Sequence, residues 1–406
     1  MIERSLGLSS LAASAAMPLE AMLEIRKQQK NLFIGIPKET SFQEHRVPLI
    51  PEAVALLTNR GHEIVIETGA GNASKFEDSD YSEAGARIAY GPEEVYKANI
   101  ILKVAPPSIA ELGLIQPRQS LISILQITMQ NTEYIKALSG KKITAIAYEF
   151  IREESGMYPI IQAMSEIVGS TCILIAAEYL SNAFNGKGEL LGGVAGIPPT
   201  QVVILGAGTV GEYAARTALG LGANVRVFDD SVHRLRRIQH RLGRSIFTSI
   251  ITPRILLKEL KNADVAIGAL RSSEGRTPIV VTEEMVSEMR VGSVIVDVSI
   301  DQGGCFETSE ITNHLQPIFK KYGVVHYCVP NIASRVSRTA STALSNIFTQ
   351  ILLSAGDEGG IEEVIWKNKS VRDGVYMYNG SITNRYIAEL CRLPFKDLDL
   401  IKAARL

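Results

Sequence analysis

Residues 201–230 read QVVILGAGTVGEYAARTALGLGANVRVFDD, and the order of parts in this stretch decides the fold. QVVIL is a short β-branched run. Gly206, Gly208 and Gly211 follow it as G-x-G-x-x-G, a segment of helical spacing comes next, and NVRVF forms a second apolar run that ends in Asp229. A lone G-x-G-x-x-G is a weak signal. A strand before it, a helix after it and an acid about twenty residues on make it a βαβ turn that cradles a dinucleotide. Gly206 permits the tight turn, Gly208 lets backbone approach a pyrophosphate, and Gly211 lets helix and sheet pack closely, with phosphate at the helix N-terminus. Asp229 is placed to accept from the adenosine ribose hydroxyls and to repel a 2'-phosphate, so NAD is expected rather than NADP. The basic segment HRLRRIQHRLGR that follows is a second potential source of phosphate contacts, although a solvated charged face explains it more simply than a nucleic-acid patch.

Outward from this turn the same alternation continues. DVAIGAL, SVIVDVS and VVHYCV read as further strands on the C-terminal side. On the N-terminal side, LFIGI, HEIVIETG, NIILKV, SLISIL and KITAIAY alternate with stretches of helical period. Short apolar strands separated by helices imply mostly parallel sheets covered on both faces. At 406 residues the chain exceeds one ordinary core, so the expected fold class is α/β, with two doubly wound Rossmann-like domains and a cleft between them. The long stretch MSEIVGSTCILIAAEYLSNAF and the connector GGVAGIPPT separate the two series. The tail from Ser337 reads as helices without a sheet of their own that pack back onto an earlier domain.

Lys plus Arg (42) nearly balances Asp plus Glu (43), which excludes a whole-protein field directed at nucleic acid or an anionic membrane. Cys172, Cys305, Cys328 and Cys391 are scattered without C-x-x-C or zinc-ligand spacing; reduced thiols, a cytoplasmic location and no metal are expected. The uncharged run from Ile167 to Ala177 is shorter than the ~20 residues of a membrane span, so no membrane segment is expected. The first 30 residues read as an extension with an amphipathic helix.

Candidate substrate residues follow from position. Asp301 lies in VDVSIDQGGCFETS just beyond a strand, where ligands of doubly wound domains lie; it either meets the nicotinamide end of the cofactor or starts an Asx-type turn. Arg46 sits in GIPKETSFQEHRVPLIPEAV between a strand and a proline-started helix, with Lys38 and His45 nearby. Its planar guanidinium suits bidentate recognition of a carboxylate, and a surface ion pair is the alternative. Lys103 interrupts the apolar IILKVAPP: it binds an anion if buried beside one, or snorkels to water.

GIPKE with Arg-Val a few residues on, GAGNASKFEDSDYSEAGARI, ILKV, MSEIVGS, LGGVAGIPP, VILGAGTVG and VDVSIDQGGCFE together resemble the alanine dehydrogenase family, which is related to the NAD-binding subunit of proton-translocating transhydrogenase. The resemblance runs from about Leu32 to the tail. It implies an N-terminal extension (1–30), a substrate domain (31–160 completed by 338–406) and an inserted NAD domain (161–337). It implies reversible oxidative deamination of L-alanine to pyruvate and ammonia with hydride transfer to NAD, in a homo-oligomer, often a hexamer or dimer. By the same resemblance Arg46 holds the substrate carboxylate, Asp301 works at the reacting centre, Asn331 of YCVPN lies near the cleft, and Ser165 of MSEIVGS contacts the cofactor. Two positions depart from the family. Its K-V-K-E-P reads Lys103-Val104-Ala105-Pro106-Pro107, so the substrate-binding lysine is replaced by Ala105, and its acid/base histidine is replaced by Gln126. Lys103 matches the other lysine of that motif and is kept as a substrate-binding candidate. The loss of both groups leaves two alternatives open: a dehydrogenase of a different amino or imino acid, or a non-catalytic NAD(H)-binding homologue.

Overall fold

The computed structural model describes residues 30–126, 131–272 and 275–405. The helix expected in the N-terminal extension falls on residues outside this range.

Two sheets organise the chain. In the first, β1 (Phe33–Ile36), β2 (Glu63–Glu67), β3 (Arg87–Ala89), β4 (Ile100–Leu102), β5 (Ser120–Ser123) and β6 (Thr144–Ala147) are parallel. In the second, β7 (Gln201–Leu205), β8 (Asn224–Phe228), β9 (Phe247–Ser249), β10 (Val265–Gly268), β11 (Val294–Asp297) and β13 (Val324–Tyr327) are parallel, and β12 (Ile318–Lys321) pairs antiparallel with β13 at the edge. The central strands are buried on both faces, as their continuous Val/Ile runs require.

The C-terminal tail differs from its expected all-helical form. β14 (Val375–Tyr378) and β15 (Ser381–Ile382) form a hairpin that joins the first sheet antiparallel to β6. The turn residues Asn379 and Gly380 both have positive φ, 46° and 78°. Asn-Gly between apolar residues is a strong two-residue hairpin signal, and VYMYNGSI carries it.

Strand order places one crevice in each sheet. The first runs β15-β14-β6-β5-β4-β1-β2-β3 and the second β12-β13-β11-β10-β7-β8-β9. Winding reverses between β1 and β4, and again between β7 and β10. Loops leaving neighbouring strands at such a reversal go to opposite faces, opening a crevice beyond the strands' carboxyl ends.

Of the helices that position these crevices, α1 (Pro51–Asn59) starts on a proline and α2 (Ile109–Leu114) on a reciprocal Ser108/Glu111 capping box. α3 (Pro159–Leu180) connects the two sheets, α4 (Thr209–Gly220) follows the glycine turn, α5 (Val232–Leu242) follows β8, and α6 (Ser337–Glu358) returns the chain to the first sheet. α3 is long and apolar enough to cross a membrane, which the count over Ile167–Ala177 missed because Glu166 and Glu178 cut the run. Here Cys172, Ile173, Ile175 and Ala176 are buried in the core around β7 and α4. Gly169 allows close approach to α4, since a Cβ there would lie 2.4 Å from the Val210 carbonyl oxygen.

Candidate functional site

The glycine turn after β7 is built from three glycines with different reasons to lack a side chain. Gly206 has φ +114°, and a Cβ on it would stand 2.4 Å from the Ala269 carbonyl oxygen at the end of β10. A Cβ on Gly211 would stand 1.9 Å from the Gly206 carbonyl oxygen, so this glycine lets α4 pack on the turn. Gly208 has an ordinary φ of −76° and no protein atom within 4 Å of its would-be Cβ. Neither strain nor protein packing explains Gly208, and the space before it is a cradle at the N-terminus of α4. A pyrophosphate fits that cradle, where backbone N–H groups and the helix dipole favour an anion.

Asp229, 2% exposed at the end of β8, braces the same turn. Its carboxylate accepts from Ala207 N (2.8 Å), Ser231 N (2.8 Å) and Arg234 Nε (2.9 Å). Arg237, one turn along α5, donates to the Ala207 carbonyl at 3.3 Å. The acid at the expected ribose position is thus also a structural part of the glycine loop.

Across the cleft, Arg46 is held by a serine ladder. His45 N donates to Ser334 Oγ (2.8 Å), Val47 N to Ser341 Oγ (2.9 Å) and Ile50 N to Ser345 Oγ (3.1 Å). Ser341 and Ser345 lie four apart on one face of α6, where helical geometry aligns them. The Arg46 loop is therefore fastened by the C-terminal part of the chain.

Glu44 grips the Arg46 side chain: Nε lies 2.7 Å from Oε1 and Nη2 2.5 Å from Oε2, a two-point pair with both side chains nearly buried. The remaining Nη1 faces Met164 Sδ of α3 at 3.6 Å, beside half-buried Ser165. Asn331, at φ 55°, donates its side-chain amide to Glu44 Oε2 at 3.0 Å and its backbone N–H to Asp301 Oδ1 at 3.4 Å. Arg46, Glu44, Asn331 and Asp301 are thus one chain of contacts spanning the two domains. Burial alone would raise the Glu44 carboxyl, but the charge and hydrogen bonds of Arg46, helped by Asn331, hold it below the usual range. Asp301 keeps solvent contact in the cleft, yet crowding by protein pushes its carboxyl up against the pull of the Asn331 N–H and Arg46.

His45 does not stand alone: its ring lies 6.0 Å from that of His314, which comes from the second domain. Burial, with the charges of His45 and Arg335, lowers the His314 pKa and keeps that ring neutral near pH 7. The His314 backbone N–H donates to Gln43 Oε1 at 2.8 Å, a further link across the cleft.

Lys103 lies elsewhere. It is fully buried at the end of β4, with Nζ 2.7 Å from Glu111 Oε1 and 3.3 Å from Glu39 Oε2. Tyr96 and Thr40 also donate to Glu111. The anion that Lys103 binds is the protein's own, and neither snorkelling nor contact with the Arg46–Asp301 chain occurs. Burial would lower the lysine pKa, and the two carboxylates overcome it.

Sequence reasoning passed over Glu39 and Glu44. Both lie inside the quoted GIPKETSFQEHR, and the signal was their spacing from a strand end and from Arg46. Gln126 has φ 49°, and its N–H and that of Leu125 donate to Glu149 Oε1 (3.2 and 2.8 Å).

Two doubly wound domains, a glycine cradle on one crevice and an arginine–aspartate chain across the intervening cleft define the architecture of a nucleotide-dependent dehydrogenase. Residues 35–168 match the family described as alanine dehydrogenase/PNT, N-terminal domain, and residues 172–385 match its C-terminal domain. Similar relatives include alanine dehydrogenase from Mycolicibacterium smegmatis, 36% identical over 367 residues, with 90% of this chain and 98% of the relative covered. Alanine dehydrogenase 2 of Staphylococcus aureus is 37% identical over 368 residues at the same coverage. A solved L-alanine dehydrogenase superposes with TM-score 0.82 at 36% identity, covering 88% of this chain and 98% of that one. A transhydrogenase from Sinorhizobium meliloti gives TM-score 0.73 at 25% identity, covering 87% and 99%. The chain belongs to the alanine dehydrogenase/PNT family.

Proposed function

We propose that the protein is an NAD-dependent amino-acid dehydrogenase that reversibly deaminates L-alanine, or a small amino acid like it, to the 2-oxo acid and ammonia. The observation that carries this reading is the contact chain from Arg46 through Glu44 and Asn331 to Asp301, which joins the substrate side of the cleft to the cofactor side. Bound NAD supplies the hydride acceptor for the substrate C2. Gly206, Gly208, Gly211 and Asp229 would hold its pyrophosphate and adenosine ribose, with Ser165 of α3 as a further contact, and the buried Asp229 would disfavour a 2'-phosphate. Arg46 clamps the substrate carboxylate, exchanging Glu44 for it, because both present the same two-oxygen face to the guanidinium. Asn331 keeps the displaced Glu44 and Asp301 in register, and Asp301 orients the amino group. Lys103 serves the site from beneath by fixing Glu39 and Glu111.

Near-balanced charge and four buried free thiols support a cytoplasmic enzyme with small-molecule substrates and no nucleic-acid or membrane partner. The assembly is a homo-oligomer, hexameric or dimeric like others of the family. A second reading, a non-catalytic NAD(H)-binding protein, is favoured by Ala105 and Gln126, neither of which titrates near neutrality. NADH oxidation with pyruvate and ammonium, and with a panel of other 2-oxo acids, separates the two. Turnover abolished in Arg46→Ala and Asp301→Ala supports the dehydrogenase; tight NADH binding without turnover supports the second reading.

A further inference from the structure

The substrate-side crevice contains a carboxyl group that the scheme above leaves without a chemical role. Glu39 follows β1 and reaches across to the end of β4, so it bridges the two strands between which the winding reverses. Its Oε1 accepts from Val104 N at 2.6 Å and its Oε2 from Ala105 N at 3.3 Å. Those backbone contacts fix the carboxyl beside the small Ala105, at the position where the family resemblance implies a lysine. The Glu39 side chain is 5% exposed, which holds the carboxyl out of bulk water at the floor of the crevice.

We propose that Glu39 is the proton-transfer residue of this enzyme, acting on the imino acid in the step that neither Ala105 nor Gln126 can serve. The inference rests on the dehydrogenase reading. In deamination, oxidation leaves an iminium carbon, and a water molecule adds to it. The C–O bond forms as the C=N π pair moves to nitrogen, and the Glu39 carboxylate takes one proton from the water. Glu39 then returns that proton to the nitrogen; the C–N bond breaks, the oxygen lone pair closes the carbonyl, and the hydroxyl proton leaves with ammonia as ammonium. Glu39 ends in its starting state, and the only oxidant is NAD.

The surroundings explain why this carboxyl, among those nearby, can move a proton. One ammonium cannot neutralise two carboxylates, and Lys103 stands closer to Glu111 (2.7 Å) than to Glu39 (3.3 Å). Glu111 remains below its usual range, because the Lys103 and Ser108 contacts outweigh its burial. Glu44 is held as an anion by Arg46 until the substrate takes the guanidinium, and it keeps the Asn331 amide as a donor. Glu39 is pushed up to about 7 by burial and by the Glu44 charge, against Lys103 and the Val104 N–H. Among the described residues, Arg46, Tyr148 and Tyr96 are further charged or titratable groups that interact with it, and burial keeps both phenols protonated. A group with pKa near the working pH has both forms at hand, which is what general acid–base catalysis needs.

The test compares full-length wild type, Glu39→Gln and Glu39→Asp in both directions across pH 5.5–9, a range chosen to bracket about 7, with NADH binding as a control of folding. Infrared difference spectra also follow the protonated carboxyl without turnover. In Glu39→Gln, the expected result is a fall in kcat of ~10² or more with KM for the oxo acid within a few-fold. The near-neutral limb of the wild-type deamination profile disappears, as does a carboxyl band titrating near neutrality, and Glu39→Asp restores part of the rate. If Glu39→Gln keeps kcat within about twofold, or keeps the near-neutral limb, the proposal is overturned while the dehydrogenase reading stands. If wild type turns over no amino or oxo acid, the dehydrogenase reading fails and the proposal fails with it.

Discussion

Gly208 and Gly211 stand three residues apart in one motif, and alanine at the two positions should have opposite consequences. At Gly211 the added Cβ would meet the Gly206 carbonyl oxygen at 1.9 Å. The oxygen is backbone and the Cβ would be fixed rigidly to the helix backbone, so α4 and the turn must separate by about 1 Å to reach a tolerable contact; overpacking of this kind costs about 1–3 kcal/mol. For a domain of 150–250 residues that lowers Tm by roughly 2–12 °C. At Gly208 the added Cβ meets no protein atom within 4 Å, and the φ of −76° suits alanine. Gly208→Ala puts a poorer residue at the N-cap of α4 and should cost about 0.5–1 kcal/mol, a Tm loss of roughly 1–4 °C that stays below that of Gly211→Ala. The new methyl instead enters the cradle, and NADH affinity should fall at least tenfold, about 1.4 kcal/mol. Thermal unfolding without cofactor and fluorescence titration with NADH measure the two quantities on the same samples. Normal NADH binding by Gly208→Ala, together with a Tm loss equal to that of Gly211→Ala, would refute the division of roles.

Lys103→Ala should cost about 3–5 kcal/mol in urea unfolding, because it leaves Glu111 and Glu39 buried without their cation; a loss below about 1 kcal/mol with a large rise in KM would make Lys103 a substrate ligand instead. Arg46→Lys loses the two-point clamp while keeping the charge, and KM for the oxo acid should rise roughly 10- to 100-fold, the equivalent of about 1.5–3 kcal/mol for a charged hydrogen bond. Burial raises the Glu39 pKa from 4.5 to about 7, so between those values the folded chain keeps a proton that the unfolded chain has released. Stability from this group is therefore fully present below pH 4.5 and falls as pH rises to about 7, by on the order of 3 kcal/mol. Denaturant unfolding of wild type and Glu39→Gln at pH 5 and pH 7.5 should show a steeper decline in wild type, and parallel declines would contradict it.

What could be read along the chain was whatever repeats with a local period or sits at a fixed offset. Strand–glycine–helix–strand–acid in residues 201–230, and the alternation on either side, specify two α/β units because each part depends on neighbours within about thirty residues. Asn379-Gly380 belonged to the same legible class, and the hairpin β14–β15 went unread only because helices surround it. Local sequence also placed Arg46 and Asp301 beyond strand ends. Their joining through Glu44 and Asn331 required tertiary structure, since Asn331 lies 287 positions from Glu44 and no local pattern couples such residues. Lys103 shows the division most clearly. A lysine in an apolar strand announces that an anion must be near, because an unpaired charge is too costly to bury. Which anion it finds depends on where Glu39 and Glu111 fold, and only the folded chain shows Lys103 2.7 Å from one and 3.3 Å from the other.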